Sequence, residues 1–141
     1  MIFDSKYSAC ESKQKIVVSR ENGNEHILYN KSGCNIYQYH IDGGIVRDSH
    51  GERCDFMVEA ELASVVNVYV IELKGSDLNK AISQILKTID AYKGQLNRCQ
   101  ILPRVIIHKA TTHDIHGKKY RDFKKAYPGT VVKVRQYSET V

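Results

Sequence analysis

The chain has 141 residues and a mass of 16.1 kDa, enough for one domain with one core and too little for two. With 42% hydrophobic and 26% charged residues it has the make-up of a globular protein, which excludes a disordered or collagen-like chain. Its formal net charge of +5 is unevenly divided: residues 1–73 carry 7 Lys/Arg against 11 Asp/Glu, and residues 74–141 carry 14 against 5. A basic second half suits a polyanion, above all nucleic acid; the plain alternative is an ordinary solvated basic surface.

The apolar run Ile101–Ile107 is interrupted by Pro103 and Arg104 and falls far short of the roughly 20 residues that a membrane helix needs. The start, Met1 to Lys6, lacks the basic flank and apolar run of a secretion signal, so the expected compartment is cytoplasmic. Cys10, Cys34, Cys54 and Cys99 contain no Cys-x-x-Cys pair, which predicts free thiols and no structural zinc site.

In chain order, a short helix is expected over residues 10–14. Ile16-Val17-Val18 and His26 to Tyr29, separated by Glu21-Asn22-Gly23-Asn24, read as a hairpin. Asn35 to Ile41 predicts a third strand, closed by Asp42-Gly43-Gly44; Cys54 to Glu59 and Val65 to Lys74 predict two more. In the last of these, Val68, Val70, Glu72 and Lys74 share one face, and Tyr69, Ile71 and Leu73 the other. Both faces are apolar until Glu72, so the strand is expected to be central in its sheet, with helices packed over it. After the break at Gly75, Ser76 is the expected cap of a helix whose stripe is Leu78, Ala81, Ile82, Ile85, Leu86, Ile89 and Tyr92, ending near Lys93-Gly94. A strand from Ile101 to His108, a helix from Lys118 to Ala126 and a strand from Thr130 to Val134 follow. The expected fold is a single α/β domain, residues 1–141, with a central mixed sheet flanked by helices.

The chemistry is expected where the central strand ends. Glu72 and Lys74 emerge two residues apart from a segment otherwise built for burial, where a charge is tolerated if it is paired or binds a metal. Asp55 lies 17 positions earlier at the start of the preceding strand, across a turn near Glu61 to Ser64, so antiparallel pairing brings it beside Glu72. Two carboxylates and the Leu73 carbonyl offer an all-oxygen site suited to Mg²⁺ or Mn²⁺. A simple Glu72–Lys74 ion pair is the structural alternative.

Asp55, a spacer, Glu72-Leu73-Lys74 and a following helix bearing Gln84 resemble the signature of the PD-(D/E)XK nuclease superfamily, over roughly residues 54–90, with Cys54 where that family has proline. The resemblance implies a restriction-endonuclease-like fold, akin to that of Holliday-junction resolvases. It implies a Mg²⁺-dependent endonuclease in which Asp55 and Glu72 ligate the metal, the Leu73 carbonyl can assist, and Lys74 positions or deprotonates water. Gln84 corresponds to a glutamine that some branches carry near the active site. An acidic residue supplied from the N-terminal part falls on Glu11, Glu21 or Glu25, with no choice among them. The expected partner is nucleic acid, DNA before RNA, with no membrane, and a chain this small that cuts two strands would act most simply as a homodimer. A catalytically silent nucleic-acid-binding module on the same fold, or a protein-interaction domain with a basic surface, are the alternatives.

Lys118, Lys119, Arg121, Lys124 and Lys125, with Lys133 and Arg135, are the expected nucleic-acid contacts, while Tyr120, Phe123 and Tyr127 form a stripe that packs inward. His108, His113 and His116 with Asp114 could be read as a second metal site, but exposed histidines touching phosphate explain them better. His40 and His50 flank the loop before Asp55 and are weaker candidates for the same centre, and Cys54 reads as a small core residue.

Overall fold

The computed structural model describes residues 1–45, 53–73, 75–109 and 112–141. The chain opens with a single 3₁₀ turn at Ser5–Tyr7, capped by the Asp4 carboxylate, which accepts from the Lys6 amide at 3.0 Å. Residues 10–14, expected as a helix, form turns instead. The hairpin strands are Ile16–Glu21 (β1) and Asn24–Tyr29 (β2). They reverse at Asn22 and Gly23, whose φ values of 53° and 77° are those of the Asn-Gly turn that matches strand twist. Asn35–His40 (β3), Phe56–Glu61 (β4) and Val66–Glu72 (β5) form an antiparallel meander. The helix Leu78–Ala91 (α1) crosses to Cys99–Ile107 (β6); then come Thr112–Ile115 (α2), Lys118–Ala126 (α3), Val131–Val134 (β7) and Gln136–Thr140 (β8).

These elements make one α/β domain with two mixed sheets and, among the described residues, three α-helices. The larger sheet has the order β3-β4-β5-β6-β7, with β5, β6 and β7 parallel. The smaller has the order β1-β2-β8, with β8 parallel to β2. Two expectations are corrected here. The first hairpin stands outside the central sheet, and the chain does not end at β7: β8 pairs with β2 across more than 100 residues, a partnership no local pattern announces.

The central strand explains the layering. Val68 and Val70 face a cluster containing Leu78, Ala81, Ile82, Ile85 and Phe123, so α1 and α3 cover that side. Tyr69, Ile71 and Leu73 face Val17, Leu28, Ile36 and Ile106, so the opposite side is covered by the small sheet rather than by helices. Two other expectations also shift. Asp77, not Ser76, caps α1 through its side chain on the Lys80 amide, and Leu86 is 39% exposed rather than part of the packed stripe. The outer edge of β1 is closed by side-chain amides, with Gln14 Nε2 donating to the Ile16 carbonyl at 2.8 Å and Gln38 Nε2 to that of Val18 at 2.7 Å.

Between the sheets lies a buried ionic group. The Arg104 Nε and Nη2 donate to the two carboxylate oxygens of Glu139 on β8 at 2.6 and 2.9 Å, Nη1 donates to the carbonyls of Pro103 and Gly129, and His26 Nε2 lies 2.6 Å from Glu139 Oε2. The guanidinium also sits 5.4 Å from the centre of the Tyr69 ring. Burial opposes ionisation of Glu139, but its hydrogen bonds and the charges of Arg104 and His26 outweigh it and draw the pKa from 4.5 to about 2. Because the folded value lies below the unfolded one, this stabilisation is present above pH 4.5 and is lost as the pH falls toward 2. Glu139→Ala at pH 7 is expected to cost roughly 3–5 kcal/mol in urea unfolding, since it leaves Arg104 buried and uncompensated. The difference from wild type should shrink as the pH is lowered through that window.

Candidate active site

β5, β6 and β7 all finish at one end of the large sheet, and antiparallel β4 begins there. The ladder between β4 and β5 ends at the pair Phe56–Ile71, so Asp55 and Glu72 are the next residues outward on neighbouring strands. Both are fully buried. By alternation Glu72 follows Val68 and Val70 toward α1, and Asp55 lies on the same side as Met57. The Asp55 amide donates to the Ile71 carbonyl at 3.0 Å, its carbonyl accepts from Ile41 at 2.8 Å, and its Oδ2 accepts from the Leu73 amide at 2.7 Å.

Cys54 ties this corner to α1. Its amide donates to Thr88 Oγ1 at 2.8 Å, and the Thr88 hydroxyl donates in turn to the Gln84 carbonyl at 2.7 Å. Its thiol is buried, which pushes its pKa well up, and the neighbouring charges of Glu72 and Asp55 push the same way. Cys54 is therefore a packed, un-ionised thiol, as its small size suggests. All four cysteines are free.

Gln84 is half-buried and lines a small cavity of about 100 Å³ with Gly75, Asp77, Lys80 and Ala81. Gly75 has φ +79°, and a Cβ there would meet nothing closer than 4.0 Å, so the glycine serves the backbone turn rather than a close approach. Lys74 and His50 lie outside the described residues. Lys80 is a residue that sequence reasoning missed. It stands four positions before Gln84, hence on the same side of α1, and helical spacing from Gln84 would have found it.

The Leu73 carbonyl, expected as a metal ligand, accepts from Asn24 Nδ2 at 2.5 Å, and the same amide donates to Ile106 at 3.2 Å. A cation at Leu73 would share that oxygen. Asn24 was another silent residue: it opens β2, and only the packing of the small sheet brings it to the ends of β5 and β6.

The three acidic candidates from the N-terminal part separate clearly. Glu11 is exposed, and Glu25 is paired with Arg20 at 2.7 Å. Glu21, at the end of β1, lies 4.0 Å from His40 Nε2, and the His40 ring stacks on Phe56, the residue after Asp55, with centroids 4.8 Å apart. Glu21 is thus the one the fold carries to this end of the sheet, from the face of the small sheet. His108 also arrives here: its amide donates to the Gly75 carbonyl at 3.2 Å, and its Nδ1 is buried with no hydrogen-bond partner among the described residues. His113 and His116 are exposed on and after α2. Among the described residues no group of three or more His, Cys, Asp and Glu is arranged to hold a metal ion.

The basic residues fall into two sets. Lys118, Lys119, Arg121, Lys124 and Lys125 are exposed on α3, where Lys118 is paired with Asp122 at 2.7 Å and Lys119 Nζ donates to Ser83 Oγ, next to Gln84. Lys133 and Arg135 belong to β7 and its end; Lys133 lies over Tyr137, on the side of the small sheet. Phe123 is buried and Tyr120 and Tyr127 pack against the same core cluster, as their spacing predicts. No described helix is long and apolar enough to cross a membrane.

Thr88→Val keeps shape and removes the acceptor for the Cys54 amide. It is expected to cost about 1–3 kcal/mol in urea unfolding, with Thr88→Ser restoring most of it; no loss in Thr88→Val would mean that this bond does not anchor the start of β4.

Comparison with protein-family models, with curated proteins and with solved structures finds no match for this chain.

Proposed function

We propose that this chain is a divalent-metal-dependent nuclease of the PD-(D/E)XK type, hydrolysing phosphodiester bonds of nucleic acid, with DNA favoured. The observation that carries the reading is the burial of Asp55 and Glu72 side by side, each the next residue beyond the ladder of adjacent antiparallel strands, both on the α1 side. The order of elements supports it: an antiparallel meander, a helical crossover and a parallel strand, as in restriction-endonuclease-like folds.

The donor chemistry fits a hard cation. Two carboxylates and a shared carbonyl are oxygen ligands, and Mg²⁺ is commonly held by one or two carboxylates with its remaining positions taken by water and phosphate. When bound, such a cation polarises a phosphate and lowers the pKa of coordinated water. The protein's own part is positional. The Leu73 amide fixes the Asp55 carboxylate, the Gln84 amide can bond water or a phosphate oxygen from the cavity wall, and Lys80 adds a positive charge at its rim. Lys74 takes the role of positioning or deprotonating water by resemblance alone. The α3 cations are exposed, Lys119 being bonded to Ser83 of α1, and can contact backbone phosphates.

The test is cleavage of single-stranded, duplex and branched DNA and of RNA with Mg²⁺, Mn²⁺ or chelator. Asp55→Asn and Glu72→Gln are expected to abolish metal-dependent cleavage while the chain stays folded. Lys74→Ala is expected to lower the rate roughly 10²-fold or more. Full metal-dependent cleavage in folded Glu72→Gln would overturn the assignment, and salt-sensitive binding with no cleavage of any substrate would leave a silent binding module.

A further inference from the structure

The aromatic stripe of α3 is not wholly spent on the core. Phe123 is buried, whereas half-buried Tyr120 packs against the core cluster and also lines an open cavity of about 280 Å³ with Ile115, Arg121, Lys124 and Lys125. The wall is mainly apolar although three of the five lining residues are cations, because their aliphatic stems cover the surface and their charges stand at the rim. Lys124 Nζ lies 6.0 Å from the centre of the Tyr120 ring, and Ile115 is 37% exposed to the same space. The acidic residues nearest in sequence are Asp122, which is paired with Lys118, and Asp114 on α2. Lys119, adjacent to Tyr120, bonds Ser83, which ties α3 to α1.

We infer that this cavity takes an unpaired nucleobase stacked on Tyr120, with the phosphates on either side contacted by Arg121, Lys124 and Lys125. The inference rests on the nucleic-acid reading above and narrows its substrate. A base inside a continuous duplex has both faces stacked and must be extruded to reach such a pocket, so the pocket selects a single-stranded, frayed or branched segment. An aromatic face with a cationic rim is the pairing by which proteins hold single strands with little regard to sequence, because every base has a π-face. The cavity therefore reads strandedness and not sequence.

Binding is measured with the full chain in chelator, so that no cleavage occurs, by fluorescence anisotropy. The probes are a labelled single strand of about 12 nucleotides, the same strand with abasic residues, and its duplex. The single strand is expected to bind more tightly than its abasic counterpart and than the duplex. Tyr120→Leu, which keeps apolar packing, and Ile115→Ser, an uncharged change at a solvent-facing position, are each expected to weaken the normal strand by roughly 5- to 30-fold and to leave the abasic strand nearly unchanged. Should Tyr120→Leu fail to fold, Ile115→Ser decides. Equal binding of normal and abasic strands, or equal losses in both, would overturn the inference. So would displacement of the strand's role by an acidic peptide with an apolar anchor that binds here with the same sensitivity to both variants. The two readings fail separately: base-dependent binding without any cleavage leaves the pocket standing and removes the nuclease, and metal-dependent cleavage indifferent to unpaired bases does the reverse.

Discussion

β5 is apolar on both faces, and a strand of that kind has to be covered twice. Val68 and Val70 are covered by α1 and α3, and Tyr69, Ile71 and Leu73 by the hairpin β1–β2. The large sheet is therefore enclosed by layers of different kinds, helical on one side and a second sheet on the other. That arrangement places the end of β5 between a helix carrying Gln84 and a hairpin carrying Glu21 and Asn24. Polar side chains are thus brought to that end from both sides, and the rest of the architecture follows from this one need for cover.

Glu72 is where the apolar strand stops being apolar. Its carboxylate and that of Asp55 are removed from water side by side, on the face that also raises the Cys54 thiol. Buried carboxylates are costly unless cations, hydrogen bonds or a metal offset them, and Asp55 already draws on the Leu73 amide. The second buried ionic group, Arg104 with Glu139 and His26, shows the other solution: a bidentate pair with further donors, joining β6 to β8 and β2. The Arg104 group joins strands of the two sheets, while Asp55 and Glu72 stand together just past the ladder of β4 and β5, and that placement is why function is sought at Asp55 and Glu72.

Much of this was legible in the sequence because it is local. The two-residue period of Val65 to Lys74 identified the central strand and its faces, the three- and four-residue steps identified α1 and the inward stripe of α3, and a short turn between two strands was enough to set Asp55 beside Glu72. What escaped was non-local or decided by small margins. β8 finds β2 only in the folded chain, so the second sheet could not be read, and helices were expected on both faces in its place. Ser76 and Asp77 are both good caps, and the backbone chose the second. Asn24 looked like a turn residue, and its hydrogen bonds to Leu73 and Ile106 exist only because the small sheet packs over the ends of β5 and β6. The choice among Glu11, Glu21 and Glu25 likewise depended on where the hairpin lies.

The central claim is that Asp55 and Glu72 together hold a divalent cation, and the most direct measurement is the anomalous scattering of Mn²⁺ in crystals of the protein. The account predicts one strong anomalous peak about 2 Å from carboxylate oxygens of both residues, lost in crystals of Glu72→Gln. A Glu72→Gln crystal retaining the peak, or wild-type crystals with manganese only at His113 and His116, would contradict it.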